Sequence, residues 1–210
     1  MIKAIIFDFW GTLVENGVWS PIKQVKNILR IDLPFSEYVV RMEKAMMTSK
    51  QGSLKECFQK VCAEFSINCD EETIEKLIGM WNKSWMLAQP YEEMEETLTY
   101  LKQKYKIILV SNSDCFSVPK VIEKFNLAHL FDKRYYSFEL GTIKTEKQFF
   151  QHVLNDLQLQ IEDCVMVGDS IQSDILAAKK LGMEAILVDR RSTREFNPKV
   201  KNLREIENVL

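Results

Sequence analysis

The sequence predicts an α/β fold: a doubly wound, mostly parallel Rossmann-like sheet with an inserted all-helical cap subdomain. Three observations carry that expectation. Apolar runs alternate with amphipathic helical patterns towards both ends of the chain. Three of those runs, Ala4-Ile5-Ile6-Phe7, Ile107-Ile108-Leu109-Val110 and Cys164-Val165-Met166-Val167, are unbroken by polar residues, as suits strands covered on both faces. The stretch between the first two runs holds helical patterns only. The 210 residues, 46% hydrophobic and 28% charged, suffice for one domain with a sizeable insertion and exclude collagen-like or wholly disordered chains.

In chain order, strands are expected over residues 3–9, 106–111, 133–137, 163–168 and 184–189. Helices are expected over 92–105, 117–125, 146–157 and 171–181, with Gly182 at the C′ position of the last. Within the insertion, Gly52 breaks a helix over 36–50. Ser53-Leu54-Lys55-Glu56 has capping-box spacing and opens a helix to about residue 65. Asp70 is an N-cap for a third helix, reaching about residue 88. The expected partition is a core of residues 1–14 and 90–210 and a cap of residues 15–89. Its hinges fall at Glu15-Asn16-Gly17 and Gln89-Pro90. Trp19, Trp81, Trp85, Met42, Met46 and Met47 read most simply as cap core.

The formal net charge of −2 provides no basic field to attract nucleic acid or anionic membrane. No apolar run approaches the roughly 20 residues that span a bilayer. The apolar stretch at the N-terminus is too short for a signal peptide, and Asp8 interrupts it. A cytoplasmic protein without a nucleic-acid or membrane partner is therefore expected; nothing in the sequence sets an oligomeric state. The five cysteines (Cys57, Cys62, Cys69, Cys115, Cys164) are odd in number and include no Cys-x-x-Cys pair, so reduced, mostly buried thiols are expected.

Open α/β sheets bind ligands beyond the carboxyl ends of their strands. The first run is followed by Asp8-Phe9-Trp10-Gly11-Thr12 and the second by Ser111-Asn112-Ser113-Asp114. The third expected strand is followed by Gly141-Thr142-Ile143-Lys144 and the fourth by Gly168-Asp169-Ser170, with Asp174 five residues past Asp169. Three carboxylates in one crevice repel one another unless a cation neutralises them. Mg2+ suits a few carboxylates, retained waters and a substrate phosphate. An aspartate can then attack phosphorus, while Ser111 and Lys144 stabilise charge on the transferring oxygens. His129 and His152 lie away from the strand ends and are assigned no chemistry.

Asp8-x-x-Gly11-Thr12-Leu13, Ser111-Asn112, Gly141-x-x-Lys144 and Gly168-Asp169-Ser170-x-x-x-Asp174, in this order and spacing, resemble the haloacid dehalogenase superfamily of hydrolases. The likeness extends over residues 1–16 and 90–190, and the middle segment sits where that family inserts a helical cap. The resemblance implies that Asp8 is the nucleophile, that Ser111 and Asn112 bind phosphate, and that Lys144 stabilises charge on nucleophile and substrate. It further implies that Asp8, Asp169, Asp174 and the backbone carbonyl of Trp10 hold Mg2+.

One position departs from the pattern. Phosphatases of the family mostly read Asp-x-Asp, the second Asp protonating the leaving alcohol, and here that residue is Trp10. A positioned general acid is worth roughly 10²–10⁴ in rate. An aromatic at this spacing also resembles the family's 2-haloacid dehalogenases, whose halide leaves without a proton and whose cap arginine holds the substrate carboxylate; Arg30 or Arg41 could serve here. Against that, a cation-free acidic crevice repels a haloacid, each like-charge pair costing on the order of 4 kcal/mol at about 4 Å and an effective dielectric near 20. The expected activity is thus a Mg2+-dependent phosphatase that takes a small phosphate ester as its small-molecule substrate, works through an aspartyl-phosphate and lacks the usual Asp general acid. A 2-haloacid dehalogenase or a catalytically degenerate binding module are the alternatives.

Overall fold

The computed structural model describes residues 1–210. Its strands are β1 (Ala4–Phe7), β2 (Val14–Glu15), β3 (Gln89–Pro90), β4 (Lys106–Ser111), β5 (Lys133–Tyr136), β6 (Cys164–Gly168), β7 (Glu184–Val188) and β8 (Lys199–Val200). Six of them form a parallel sheet in the order β5-β4-β1-β6-β7-β8. β1 is central, with Ile5 opposite Ile107 on one side and Val165 on the other.

The helices are α1 (Pro21–Ile28), α2 (Phe35–Met47), α3 (Leu54–Glu64), α4 (Glu71–Met86), α5 (Met94–Leu101), α6 (Ser117–Lys124), α7 (Ser137–Leu140), α8 (Lys147–Leu157) and α9 (Ala177–Lys179). Strand alternation explains the unbroken apolar runs. Ile5 and Phe7, with Ile107, Leu109, Val165 and Val167, face a core completed by Leu98 of α5 and Val121 of α6. Ala4 and Ile6, with Ile108, Val110, Cys164 and Met166, face a second core against Phe149 and Val153 of α8. Each Ile or Phe buried this way stabilises the fold by about 1.5–3 kcal/mol, so a polar residue on either face would be costly.

Helices α1 to α4 enclose an apolar cluster of their own, including Val25, Tyr38, Met42, Met46, Phe58 and Leu77. Both N-caps expected here form: Ser53 accepts from the Glu56 amide at 3.2 Å and Asp70 from the Thr73 amide at 2.8 Å. The chain enters and leaves this layer through an antiparallel ribbon, with Val14 opposite Pro90 and Glu15 opposite Gln89.

Several elements differ from the sequence expectation. The two-residue strands β2, β3 and β8 are too short to show a period. Pro21 opens α1 at a position where its missing N–H costs nothing, a start signal that carries no hydrophobic period. The expected helix over 171–181 begins as a π turn, Ile171–Leu176, and continues as α9. Trp19 is 60% exposed and so lies outside the cap core, whereas Trp81 is buried there; Trp85 packs on the core beneath.

The cysteine expectation needs correction. Cys62 and Cys69 form a disulfide, while Cys57, Cys115 and Cys164 are free. After α3 the chain reverses through Ser66, at φ 55°, bringing the two Cα atoms to 6.2 Å. Neither parity nor motif spacing reports a reversal of that kind. No helix is long and apolar enough to cross a membrane.

Candidate active site

The carboxyl ends of β1, β4 and β6 converge beneath the helical layer. Asp8 continues β1, its amide donating to the Val167 carbonyl at 2.9 Å, so sheet geometry fixes where its side chain starts. Lys144 follows α7 and is 3% exposed at its side chain; its Nζ donates to Asp8 Oδ1 at 2.6 Å and to Asp174 Oδ1 at 2.5 Å. Thr12 Oγ1 donates to Asp8 Oδ2 at 3.1 Å. Carboxylate oxygens of Asp8, Asp169 and Asp174 lie within 4.8 Å of one another.

The π turn helps bring Asp174 into this group. Wide turns of this kind recur at functional sites. Here both the Asp174 and Ile175 amides donate to the Ser170 carbonyl, at 3.0 and 3.2 Å, and the Ser170 amide donates to Asp174 Oδ2 at 2.9 Å. Gly11 lies against Asp169 at φ +76°, where a Cβ would stand 2.5 Å from Asp169 Oδ2. Gly11→Ala is therefore expected to cost about 1–2 kcal/mol from backbone alone and to displace Asp169. Melting curves with and without Mg2+ test this; a variant that melts like wild type under both conditions would mean that the backbone at position 11 and Asp169 yield without cost.

Electrostatics single out the same residues. Burial lowers the affinity of Lys144 for its proton, but the charges of Asp174 and Asp8 outweigh it, so the ammonium is held above its ordinary range. Burial, followed by the charges of Asp8 and Asp174, pushes the Asp169 carboxyl up; burial and Asp8 do the same to Asp174. Lys144 thus offsets only part of the negative charge. The donors are hard oxygens without cysteine or histidine, and a compact divalent cation of the Mg2+ type fits them.

Asn112 links the site to the helical layer. Its Oδ1 accepts from the Lys144 amide at 3.0 Å, and its Nδ2 donates to Glu43 Oε2 of α2 at 2.7 Å. Ser111 ends β4, buried, and its hydroxyl reaches only the Asn112 carbonyl at 3.4 Å. Asp114, in the same loop, is structural: it caps α6 and accepts from Trp81 Nε1 at 2.9 Å. The crevice opens into a cavity of about 970 Å³ lined by Asp8, Trp10, Asn112, Lys144 and Asp169, with Trp19, Lys23 and Phe35 on the helical side. That is the size of a small-molecule pocket.

Two contributors escaped the sequence reading. Arg194, after β7, approaches Asp169 Oδ2 at 3.7 Å and donates to its carbonyl; no motif marks it. Glu43 did leave a signal. Val39, Met42, Met46 and Met47 form the buried stripe of α2, and position 43 falls within it. Conversely, Arg30 and Arg41 do not line the cavity: Arg30 is exposed past α1, and Arg41 pairs with Glu64 at 2.7 Å.

The acidic crevice and paired lysine at the strand ends suit chemistry on an aspartate, and with the family match that follows they mark the class of protein as a hydrolase. A family model for haloacid dehalogenase-like hydrolases matches residues 2–182, and the chain belongs to that family. The glyceraldehyde 3-phosphate phosphatase of Methanothermobacter thermautotrophicus is 28% identical over 201 residues, 92% of this chain and 88% of its own. The N-acylneuraminate-9-phosphatase of Rattus norvegicus is 26% identical over 203 residues, 88% and 81% of the respective chains. The solved L-2-haloacid dehalogenase from Xanthobacter autotrophicus matches with a TM-score of 0.66 at 16% identity, covering 99% of this chain and 98% of its own. At that identity the likeness concerns the fold alone.

Proposed function

We propose that the chain is a Mg2+-dependent phosphatase of small phosphate monoesters, working through an aspartyl-phosphate on Asp8. The observation that carries this reading is the clustering of Asp8, Asp169 and Asp174 within 4.8 Å, with Lys144 bridging Asp8 and Asp174. The phosphatase names of its sequence relatives support it. Residues 1–14 and 90–210 would form the catalytic core, and residues 15–89 a cap over the crevice.

In this mechanism Asp8, Asp169, Asp174 and the Trp10 carbonyl would hold the cation. When bound, Mg2+ supplies the positive charge that lets a phosphate dianion approach an aspartate. Ser111 and Asn112 hold the phosphate oxygens, and Lys144, whose ammonium donates to Asp8, orients that carboxylate while stabilising charge that builds on the phosphoryl group. Asp8 attacks phosphorus in line, the alcohol leaves, and water hydrolyses the acyl phosphate. The cap limits water entry, which strengthens each of these interactions.

The test is phosphate release from a panel of phosphate esters, with Mg2+ and with a chelator. Release that stops on chelation and returns with Mg2+ is expected. Chelator-resistant chloride release from 2-chloropropionate, with every ester untouched, would overturn the proposal in favour of dehalogenation.

A further inference from the structure

Trp10 has no proton to give at the position where the family's phosphatases carry their acid. The structure places a carboxyl group elsewhere in the same crevice. Glu43 projects from α2 and is 9% exposed, and it lines the cavity that holds Asp8 and Lys144. Its Oε2 accepts from Asn112 Nδ2 at 2.7 Å and from Ser173 Oγ at 3.3 Å. Its Oε1 has no hydrogen-bond partner in the protein. Two donors fix one oxygen, and the other stays free to carry a proton. Two polar contacts tie the helical layer that carries it to the core. Lys44, the next residue of α2, pairs with Glu146 at 2.5 Å, and Trp81 of α4 donates to Asp114.

The group has an unusual proton affinity. Burial raises it, and the Asp174 charge adds to that, against the opposing Lys144 charge and the hydrogen bonds from Asn112 and Ser173, so the carboxyl is pushed up to about 7. Tyr38, buried on the same helix, is a further titratable neighbour, and the charge of Glu43 is among the causes that raise it. A carboxyl poised near neutrality is suited to both giving and taking a proton. A buried ionised carboxylate beside a phosphate dianion would instead repel it.

We propose that Glu43 is the general acid and base of this phosphatase, delivered by the cap in place of the missing side chain at position 10; the inference rests on the phosphatase reading. As the Asp8–phosphorus bond forms and the bond from phosphorus to the leaving oxygen breaks, the proton on Oε1 passes to that oxygen. The products of this step are a neutral alcohol, the aspartyl-phosphate and the Glu43 carboxylate. Glu43 then takes a proton from the water that attacks phosphorus. This restores the carboxylic acid and frees Asp8 and inorganic phosphate.

Leaving-group dependence tests the assignment. Glu43→Gln keeps an acceptor for Asn112 and Ser173 but carries no transferable proton. Its kcat should fall about 10²-fold or more on an alkyl phosphate such as glycerol 3-phosphate. The loss on p-nitrophenyl phosphate, whose leaving group needs little protonation, should be at least about tenfold smaller. Adding Trp10→Asp to Glu43→Gln should recover part of the alkyl-ester rate. Equal losses on both esters, in a variant whose melting curve matches wild type, would overturn the assignment and leave Glu43 a cap latch. If Glu43→Gln fails to fold, Glu43→Asp reports instead: its shortened reach should again depress the alkyl ester more than the aryl ester, and equal losses again overturn the assignment. A wild-type protein releasing phosphate from neither ester would remove the phosphatase reading, and the role of Glu43 with it.

Discussion

Replacing Asp8 by asparagine is expected to reduce phosphate release by at least about 10⁴-fold while leaving the fold in place. Removing a covalent nucleophile costs on that order elsewhere. An amide is a poor nucleophile, yet asparagine has nearly the same shape. Its Oδ1 still accepts from Lys144 at the position where Asp8 does so at 2.6 Å, and its amide can pair with Thr12 where Oδ2 now accepts. Two charge effects then oppose each other. Lys144 loses one carboxylate partner but retains Asp174 at 2.5 Å. Asp169 and Asp174 lose a like-charged neighbour that contributes to their raised proton affinity. The expected net change is within about 1 kcal/mol, or about 2–4 °C in melting temperature for a chain of this length. Phosphate release and a melting curve on the same preparation check both halves. A variant that turns over at the wild-type rate would rule out Asp8 as nucleophile.

The sequence made the sheet legible because burial on both faces leaves a strong mark. In β1, β4 and β6 every apolar side chain is claimed by one core or the other, so Ala4-Ile5-Ile6-Phe7 and its counterparts admit few other readings. Capping chemistry was equally local, and Ser53 and Asp70 act as their neighbours require. What stayed hidden depends on approach in space. The Cys62–Cys69 bond needs the chain reversal at Ser66, and β2 and β3 exist only because residues 14–15 and 89–90 meet where the chain enters and leaves the layer of α1 to α4. Asp8, Lys144, Asp169 and Asp174 were individually ambiguous and became a candidate site through their common position after strands. The position of Glu43 was visible as a charge within an apolar stripe, but the stripe alone could not say that its partners would be Asn112 and Ser173.

Lys144→Met should have the largest effect on stability and should lower turnover too. Lys144 is the ammonium held between Asp8 and Asp174, and breaking a buried pair by removing one partner typically costs about 3–5 kcal/mol. The pH dependence fixes the sign. Burial and mutual repulsion already raise Asp169 and Asp174, while the charge of Lys144 works against that rise in both. Without Lys144 both carboxyls bind protons still more tightly in the folded state than in the unfolded chain, where an aspartate titrates near about 3.9. Between those two affinities the folded state holds more protons, so stability must fall as pH rises. The variant should therefore come closest to the wild-type melting temperature at about pH 3, well below the unfolded value, where these carboxyls are protonated in both states, and melt progressively lower towards neutrality. Mg2+ should reverse much of the loss at neutral pH, because any ligand bound only by the folded state stabilises it, by about 2.7 kcal/mol at a hundredfold excess over Kd. Turnover should not return with it, because Mg2+ does not replace the hydrogen bond that orients Asp8. Melting curves across pH, with and without Mg2+, measure the first effect and phosphate release the second. A Lys144→Met protein whose melting temperature ignores both pH and Mg2+ would mean that the three carboxylates do not share one electrostatic site.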